Sequence, residues 1–99
     1  MVTRPPIDRL ALAAFCRKNA IGRLSFFGSI LRADFSEHSD IDILVEFLPE
    51  ARVGLIQMAA LQLELSELLG RPVDLRTPKD LSPYFRETVL SQAEVQYAA

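Results

Sequence analysis

Three aspartates have side chains whose type and spacing could support metal-dependent chemistry. Asp40 and Asp42 are two residues apart at the start of an apolar run, Asp-Ile-Asp-Ile-Leu-Val. Residues i and i+2 of a strand point to the same face, so both carboxylates could reach shared divalent cations. Two carboxylates on one face repel each other unless a cation lies between them. Asp74, in a later Val-Asp-Leu segment, would add a third carboxylate if its strand pairs beside the first.

A Gly-Ser pair upstream of the aspartates is suited to binding an anion. Gly28 follows the short apolar segment from Arg23 to Phe27, and it lets a phosphate approach the backbone because it has no Cβ. Ser29 and the free N–H groups of a helical turn, with Ser29 predicted as its N-cap, would donate hydrogen bonds to that anion. Either feature alone is common in ordinary turns and solvated strands. Together they favour metal-assisted phosphoryl or nucleotidyl transfer.

The periodicity of apolar residues predicts the helices that must hold these residues in place. A first helix is expected from about Pro6 to Asn19, and its apolar face is predicted from the i, i+3, i+4 spacing. A second helix is expected from Leu55 to Leu69, because Leu and Met recur there at helical spacing. Gly70 is expected to end it. The predicted members of the first apolar face are Ile7, Leu10, Ala11, Ala14 and Phe15. The final helix is predicted to carry Phe85, Val89, Leu90 and Ala93, with Tyr84 and Tyr97 assigned to the same helix.

The strands are predicted from alternation and from the turn residues that bound them. They cover Arg23 to Phe27, Asp40 to Phe47 and Pro72 to Arg76. The order of helices and strands predicts an α/β (α+β) domain, in which helices pack against a small mixed sheet of about three strands. A chain of 99 residues is expected to form a single domain over residues 1–99.

Composition excludes several classes of function. The net charge of −2 lacks the basic excess that sequence-independent nucleic-acid binding requires, so direct binding to DNA or RNA is disfavoured. No apolar run reaches the roughly 20 residues of a membrane span, and the first residues lack the pattern of a secretory signal, so we expect a cytoplasmic protein. Cys16, the single cysteine, is expected to be a reduced thiol in or near the core, and His38 a solvated loop residue.

These residues also resemble a known family. Gly28-Ser29, Arg32, Ser39-Asp40-Ile41-Asp42 and Asp74 are similar to the motif of the minimal nucleotidyltransferases (MNT) in the polymerase-beta-like superfamily. The resemblance covers nearly the whole chain, including the segments 73–78 and 81–86. Many members have glycine where this chain has Ala33, a departure that removes none of the proposed ligands.

The resemblance implies a role for each matching residue. Asp40, Asp42 and Asp74 would hold two Mg²⁺ ions, and Gly28 and Ser29 would bind the β and γ phosphates of a nucleoside triphosphate. Asp74 would also lie near the acceptor hydroxyl and help to remove its proton. Two further residues are less defined. Arg32 would either contact phosphate or form an ion pair with Asp34 or another local carboxylate. Ser39 would make hydrogen bonds at the entry of the strand beside the nucleotide and would not act as a nucleophile.

The implied function is that of an antitoxin. MNT proteins that lack further domains are paired with HEPN-domain ribonuclease toxins, and the resemblance implies Mg²⁺-dependent transfer of AMP from ATP to a tyrosine of that toxin. Two alternatives remain open at this point. The chain could neutralise the toxin by stoichiometric binding alone, or it could transfer a nucleotide to a small molecule or to RNA. The sequence also leaves open whether the protein forms a homo-oligomer.

Overall fold

A four-stranded mixed sheet organises the protein. The structure is a computed structural model that describes residues 7–33, 35–36 and 38–99. Its strands are β1 (Ile21–Phe27), β2 (Ile41–Phe47), β3 (Val73–Arg76) and β4 (Glu94–Ala98), in the spatial order β3-β2-β1-β4. β1 runs antiparallel to β2 and to β4, whereas β2 and β3 are parallel. The helices are α1 (Arg9–Lys18), α2 (Leu55–Leu69) and α3 (Arg86–Gln92), so the predicted mixed α/β class is confirmed.

α2 makes the parallel pairing of β2 and β3 possible, because parallel neighbours need a crossover connection. Leu61, Leu65 and Leu69 of α2 are buried, and the helix ends where Gly70 adopts a left-handed φ of 70°. The Gln62 side chain also accepts a hydrogen bond from the backbone N–H of Leu75 at 2.9 Å. α2, whose bounds Leu55–Leu69 agree with the prediction, therefore holds β3 in place beside β2. Across the described residues, no helix has the length and apolar content needed to cross a membrane.

The buried face of α1 differs from the predicted one. Asp8 caps the helix, since its Oδ1 accepts hydrogen bonds from the N–H groups of Leu10 and Ala11 at 3.1 Å each. Phe15 of the predicted face is buried and Ile7 packs against the core, but Leu10 is 83% exposed and the core also receives Leu12 and Cys16. The prediction was wrong at Leu10 and Ala14, because a helix oriented so that Leu12 and Cys16 join Phe15 in the core buries more apolar surface than one that buries alanines. The predicted start at Pro6 lies outside the described residues.

β4 is the element that the sequence did not predict. α3 stops at Gln92, and the next residues form an edge strand on β1 instead of continuing the helix to Tyr97. Tyr97 lies opposite Leu24 of β1 and packs against the core. Tyr84 and Phe85 precede α3 and are 91% and 66% exposed. Val95 and Tyr97 are a β-branched and an aromatic residue two positions apart, and this pattern favours a strand once β1 offers an unpaired edge.

Candidate active site

Strand register brings two of the predicted aspartates side by side. Asp42 of β2 is the direct partner of Asp74 in β3, and Phe27 of β1 is the partner of Asp42 on the other side. Partners in neighbouring strands project to the same face of the sheet. Asp40 is the residue immediately before β2, and it is exposed. The end of the sheet where β1 finishes and β2 begins therefore carries the acidic residues that the spacing predicted.

Gly28 closes this site from the β1 side in a way that no other residue could. Its φ is +71°, which is in the left-handed region that side chains with a Cβ disfavour. A Cβ at this position would lie 2.3 Å from Oδ2 of Asp42. The backbone of the turn and the carboxylate of Asp42 are thus in direct contact, and this contact requires glycine.

Ser29 links the turn to both aspartates of the Asp-Ile-Asp motif. Its backbone N–H donates to Oδ2 of Asp42 at 3.4 Å, and its hydroxyl donates to the backbone carbonyl of Asp40 at 3.3 Å. The prediction that Ser29 is an N-cap was wrong, because it lies within a 3-10 turn, Gly28–Leu31, whose N-cap position is Phe27. The short strand-to-turn connection leaves no residue between the end of β1 and Gly28, so the N-cap position lies two residues earlier than expected.

Burial, a hydrogen bond and the neighbouring charges shift the pKa of Asp42 in opposing directions. Burial raises the pKa of the Asp42 carboxyl above its ordinary value, the N–H of Ser29 opposes that rise, and the negative charges of Asp74 and Asp40 add to it. Asp74 forms an exposed ion pair with Arg76, whose Nη2 lies 3.3 Å from the carboxylate. The positive charge of Arg76 also favours ionised Asp42. Asp42 is therefore the carboxylate that gains most from a nearby cation.

The donor set fits a hard divalent cation in its chemistry. Mg²⁺ prefers carboxylate oxygens, and a cation here would stabilise the ionised form of Asp42, which burial and the charges of Asp74 and Asp40 disfavour. Among residues 7–33, 35–36 and 38–99, however, no three His, Cys, Asp or Glu side chains are grouped closely enough to hold a metal ion. The aspartates are thus neighbours that interact electrostatically, with Asp74 turned toward Arg76, and they would have to turn inward to share a cation.

Arg32 and Ser39 lie at the edges of this site. Arg32 is exposed at the end of the 3-10 turn, where its N–H donates to the carbonyl of Ser29 at 2.9 Å. The alternative partner proposed for its guanidinium, Asp34, lies outside the described residues. The hydroxyl of Ser39 accepts a hydrogen bond from the N–H of Ser36 at 3.2 Å, so it supports the loop that leads into β2.

Arg71 is a positioning residue that the sequence analysis missed. Its Nη2 donates to the carbonyl of Ser36 at 2.6 Å and to that of Ser39, and its guanidinium lies 4.7 Å from the centre of the Phe35 ring. These contacts fasten the loop before Asp40 to the start of β3. No sequence signal pointed to this role, because Arg71 is far from the loop in the chain and follows an ordinary helix end.

Comparison with known protein families agrees with this geometry. The model of the nucleotidyltransferase domain family matches residues 9–95. A Methanocaldococcus jannaschii protein, provisionally named protein adenylyltransferase MJ0435, is 41% identical over 76 residues, which are 77% of this chain and 80% of that protein. Protein adenylyltransferase MntA of Thermococcus cleftensis is 36% identical over 72 residues, covering 73% of this chain and 71% of its own.

Solved structures give the same result for the fold. One described as a provisional minimal nucleotidyltransferase superposes with a TM-score of 0.70 at 38% identity, covering 86% of this chain and 85% of that one. An MNT antitoxin in complex with a tri-AMPylated HEPN toxin, from Shewanella oneidensis, has a TM-score of 0.66 at 22% identity, covering 92% and 70%. At that identity the second likeness concerns the fold alone.

Proposed function

Because the chain belongs to the nucleotidyltransferase domain family, we propose that it is a protein adenylyltransferase that transfers AMP from ATP to a tyrosine of a HEPN-domain toxin. Membership in this family agrees with the predicted enzyme class. Two relatives that are named protein adenylyltransferases support the choice of a protein acceptor. The complex of an MNT antitoxin with an AMPylated HEPN toxin supports the toxin as that acceptor. The observation that carries the proposal is the close contact between Gly28 and the Asp42 carboxylate, with Asp74 in register beside it.

In the proposed reaction the 3-10 turn holds the donor. The backbone N–H of Ser29 and the open face of Gly28 would bind the β and γ phosphates. The same N–H donates to Oδ2 of Asp42 over a long 3.4 Å. A phosphate could replace so weak a partner at little cost, and the replacement would free the carboxylate of Asp42 for a cation.

The aspartates would hold the cations and handle the acceptor proton. Asp40, Asp42 and Asp74 would hold Mg²⁺, which when bound neutralises charge on the α-phosphate and on the departing pyrophosphate. The tyrosine oxygen of the toxin forms the new bond to the α-phosphorus, and the bond from that phosphorus to the bridging oxygen of pyrophosphate breaks. Asp74 would accept the phenolic proton, since it lies on the β3 side of Asp42, opposite the turn that would hold the phosphates.

A neutralisation assay separates this proposal from an antitoxin that acts by binding alone. Cells that express the cognate HEPN toxin would receive the wild-type chain, Asp42→Asn, or Glu67→Gln as a control on the exposed surface of α2. We expect Asp42→Asn to form the complex and yet fail to restore growth, whereas Glu67→Gln restores growth like the wild type. Full neutralisation by Asp42→Asn would show that binding suffices.

A metal-exchange experiment tests the cofactor. Dialysis against EDTA should abolish transfer, and added Mg²⁺ should restore it. Transfer that continues at an unchanged rate in excess EDTA would exclude the proposed role of the aspartates as metal ligands.

A further inference from the structure

A cavity of about 620 Å³ lies between the 3-10 turn and α3. Phe27, Gly28 and Leu31 line it on the turn side, and Val89 and Gln92 line it on the α3 side. Its volume is within the range of about 300 to 1,000 Å³ that is common for sites of small ligands. The apolar side chains around it are only partly buried, so they keep surface that a flat, partly apolar ligand could cover.

The cavity adjoins the 3-10 turn that is proposed to bind the phosphates. Gly28 belongs to both, because it lines the cavity and also lies against the Asp42 carboxylate. Phe27, another lining residue, is the register partner of Asp42. In the sheet order β3-β2-β1-β4, the cavity lies on the β1 and β4 side of Asp42, while Asp74 lies on the β3 side. A donor with its phosphates on the turn would therefore extend its nucleoside into the cavity and leave the β3 side free for the acceptor.

We propose that this cavity binds the nucleoside of the donor and that Val89 and Gln92 of α3 determine which nucleoside is accepted. This inference rests on the proposed function, since it concerns the donor of that reaction. Phe27, Leu31 and Val89 offer apolar surface for the faces of a base. Gln92 is exposed at the end of α3 and offers one carbonyl acceptor and one amide donor.

The side chain of Gln92 favours adenine. An amide can pair in bidentate fashion with the N6 amino group and N7 of adenine, which are one donor and one acceptor. Guanine presents two acceptors, O6 and N7, on the same edge, so one of its two hydrogen bonds to an amide is lost. The chain should accordingly bind ATP more tightly than GTP through Gln92.

Calorimetric titration of the full chain with ATP, GTP and tripolyphosphate tests the inference. Tripolyphosphate carries the phosphates without a nucleoside, so it reports the turn alone. We expect Val89→Trp, which places a large side chain in the cavity where the base would lie, to weaken ATP binding at least about tenfold and to leave tripolyphosphate binding unchanged. Leu90→Trp is the matched control, because Leu90 is 40% exposed on the same helix and does not line the cavity. It should bind ATP like the wild type.

A second variant keeps the test valid if Val89→Trp does not fold. Gln92→Leu changes an exposed side chain of similar size and should reduce the preference for ATP over GTP about tenfold. Val89→Trp and Gln92→Leu proteins that bind both nucleotides like the wild type would overturn the inference. So would a wild-type chain that binds ATP no more tightly than tripolyphosphate, even if it transferred AMP to the toxin. A chain that transfers no AMP but binds ATP in the cavity would refute the proposed function and leave this inference standing.

Discussion

The contact between Gly28 and Asp42 can be tested by adding one methyl group. Gly28→Ala introduces a Cβ that would lie 2.3 Å from Oδ2 of Asp42, on a backbone whose φ is +71°. A left-handed conformation costs alanine about 1–2 kcal/mol relative to glycine. The carboxylate of Asp42 must also move away, and the N–H of Ser29 then loses its hydrogen bond. The loss of this hydrogen bond costs about 1 kcal/mol more. We expect Gly28→Ala to lower the free energy of unfolding by about 2–3 kcal/mol in all.

Gly70→Ala is the matched control for the backbone cost. Gly70 has nearly the same φ, +70°, but a Cβ there would meet no atom within 4 Å. This variant should lose only the backbone cost of about 1–2 kcal/mol, where each 1 kcal/mol corresponds to about 4–8 °C in Tm for a domain of this size. Thermal unfolding of the two variants under identical conditions therefore isolates the contact with Asp42 as the difference between them.

A double-mutant cycle then shows whether Asp42 is the group that the new methyl meets. With Asp42→Ala in the background, Gly28→Ala should cost no more than Gly70→Ala does, because the carboxylate is gone. Equal costs for Gly28→Ala and Gly70→Ala in the wild-type background would refute the contact. So would a cost of Gly28→Ala that does not change when Asp42 is removed.

Three further predictions follow from the charges and contacts of the site. The folded chain binds the proton of Asp42 more tightly than the unfolded chain does, because its pKa is raised, so ionised Asp42 destabilises the fold at neutral pH. Without added metal, Asp42→Asn should therefore be more stable than the wild type in urea, and the difference should shrink as the pH falls from about 8 toward about 4; a constant difference would contradict the raised pKa. Arg71→Lys should lose the forked contact with the carbonyls of Ser36 and Ser39 and about 1–2 kcal/mol of stability, and limited proteolysis should cut that loop faster. Cys16 is fully buried with its pKa raised to about 11, so it should react with a thiol reagent at neutral pH at the rate of unfolding; immediate reaction would contradict its burial.

The acidic part of the site could be predicted from local sequence. The spacing of Asp40 and Asp42 on an alternating strand, and the position of Gly28 after an apolar run, depend on a few neighbouring residues. The structure places these residues together. Asp74 required one further assumption, that its strand pairs with β2 in register, and that pairing is confirmed. Their roles as catalytic, metal and nucleotide ligands stay predictions, as do a cytoplasmic location and a single domain.

The features that the sequence did not predict depend on contacts between distant segments. Residues 93–97 continue a pattern that a helix could also accept, and only the free edge of β1 selects a strand there. The orientation of α1 about its own axis depends on which of its side chains fill the core best. Arg71 reaches carbonyl groups more than 30 residues away along the chain, and Arg76 forms an ion pair with Asp74. Periodicity and spacing contain no information about either arginine.

Measuring the intact mass of the cognate HEPN toxin is the most direct test of the proposed transfer of AMP. The toxin would be incubated with ATP, Mg²⁺ and the wild-type chain, in parallel with the Asp40→Asn/Asp42→Asn double variant. We expect the toxin to gain one or more AMP-sized increments with the wild type and none with the double variant, and we expect peptide mapping to locate AMP on a tyrosine. An unmodified toxin in a stable complex with the wild-type chain would contradict the proposed transfer.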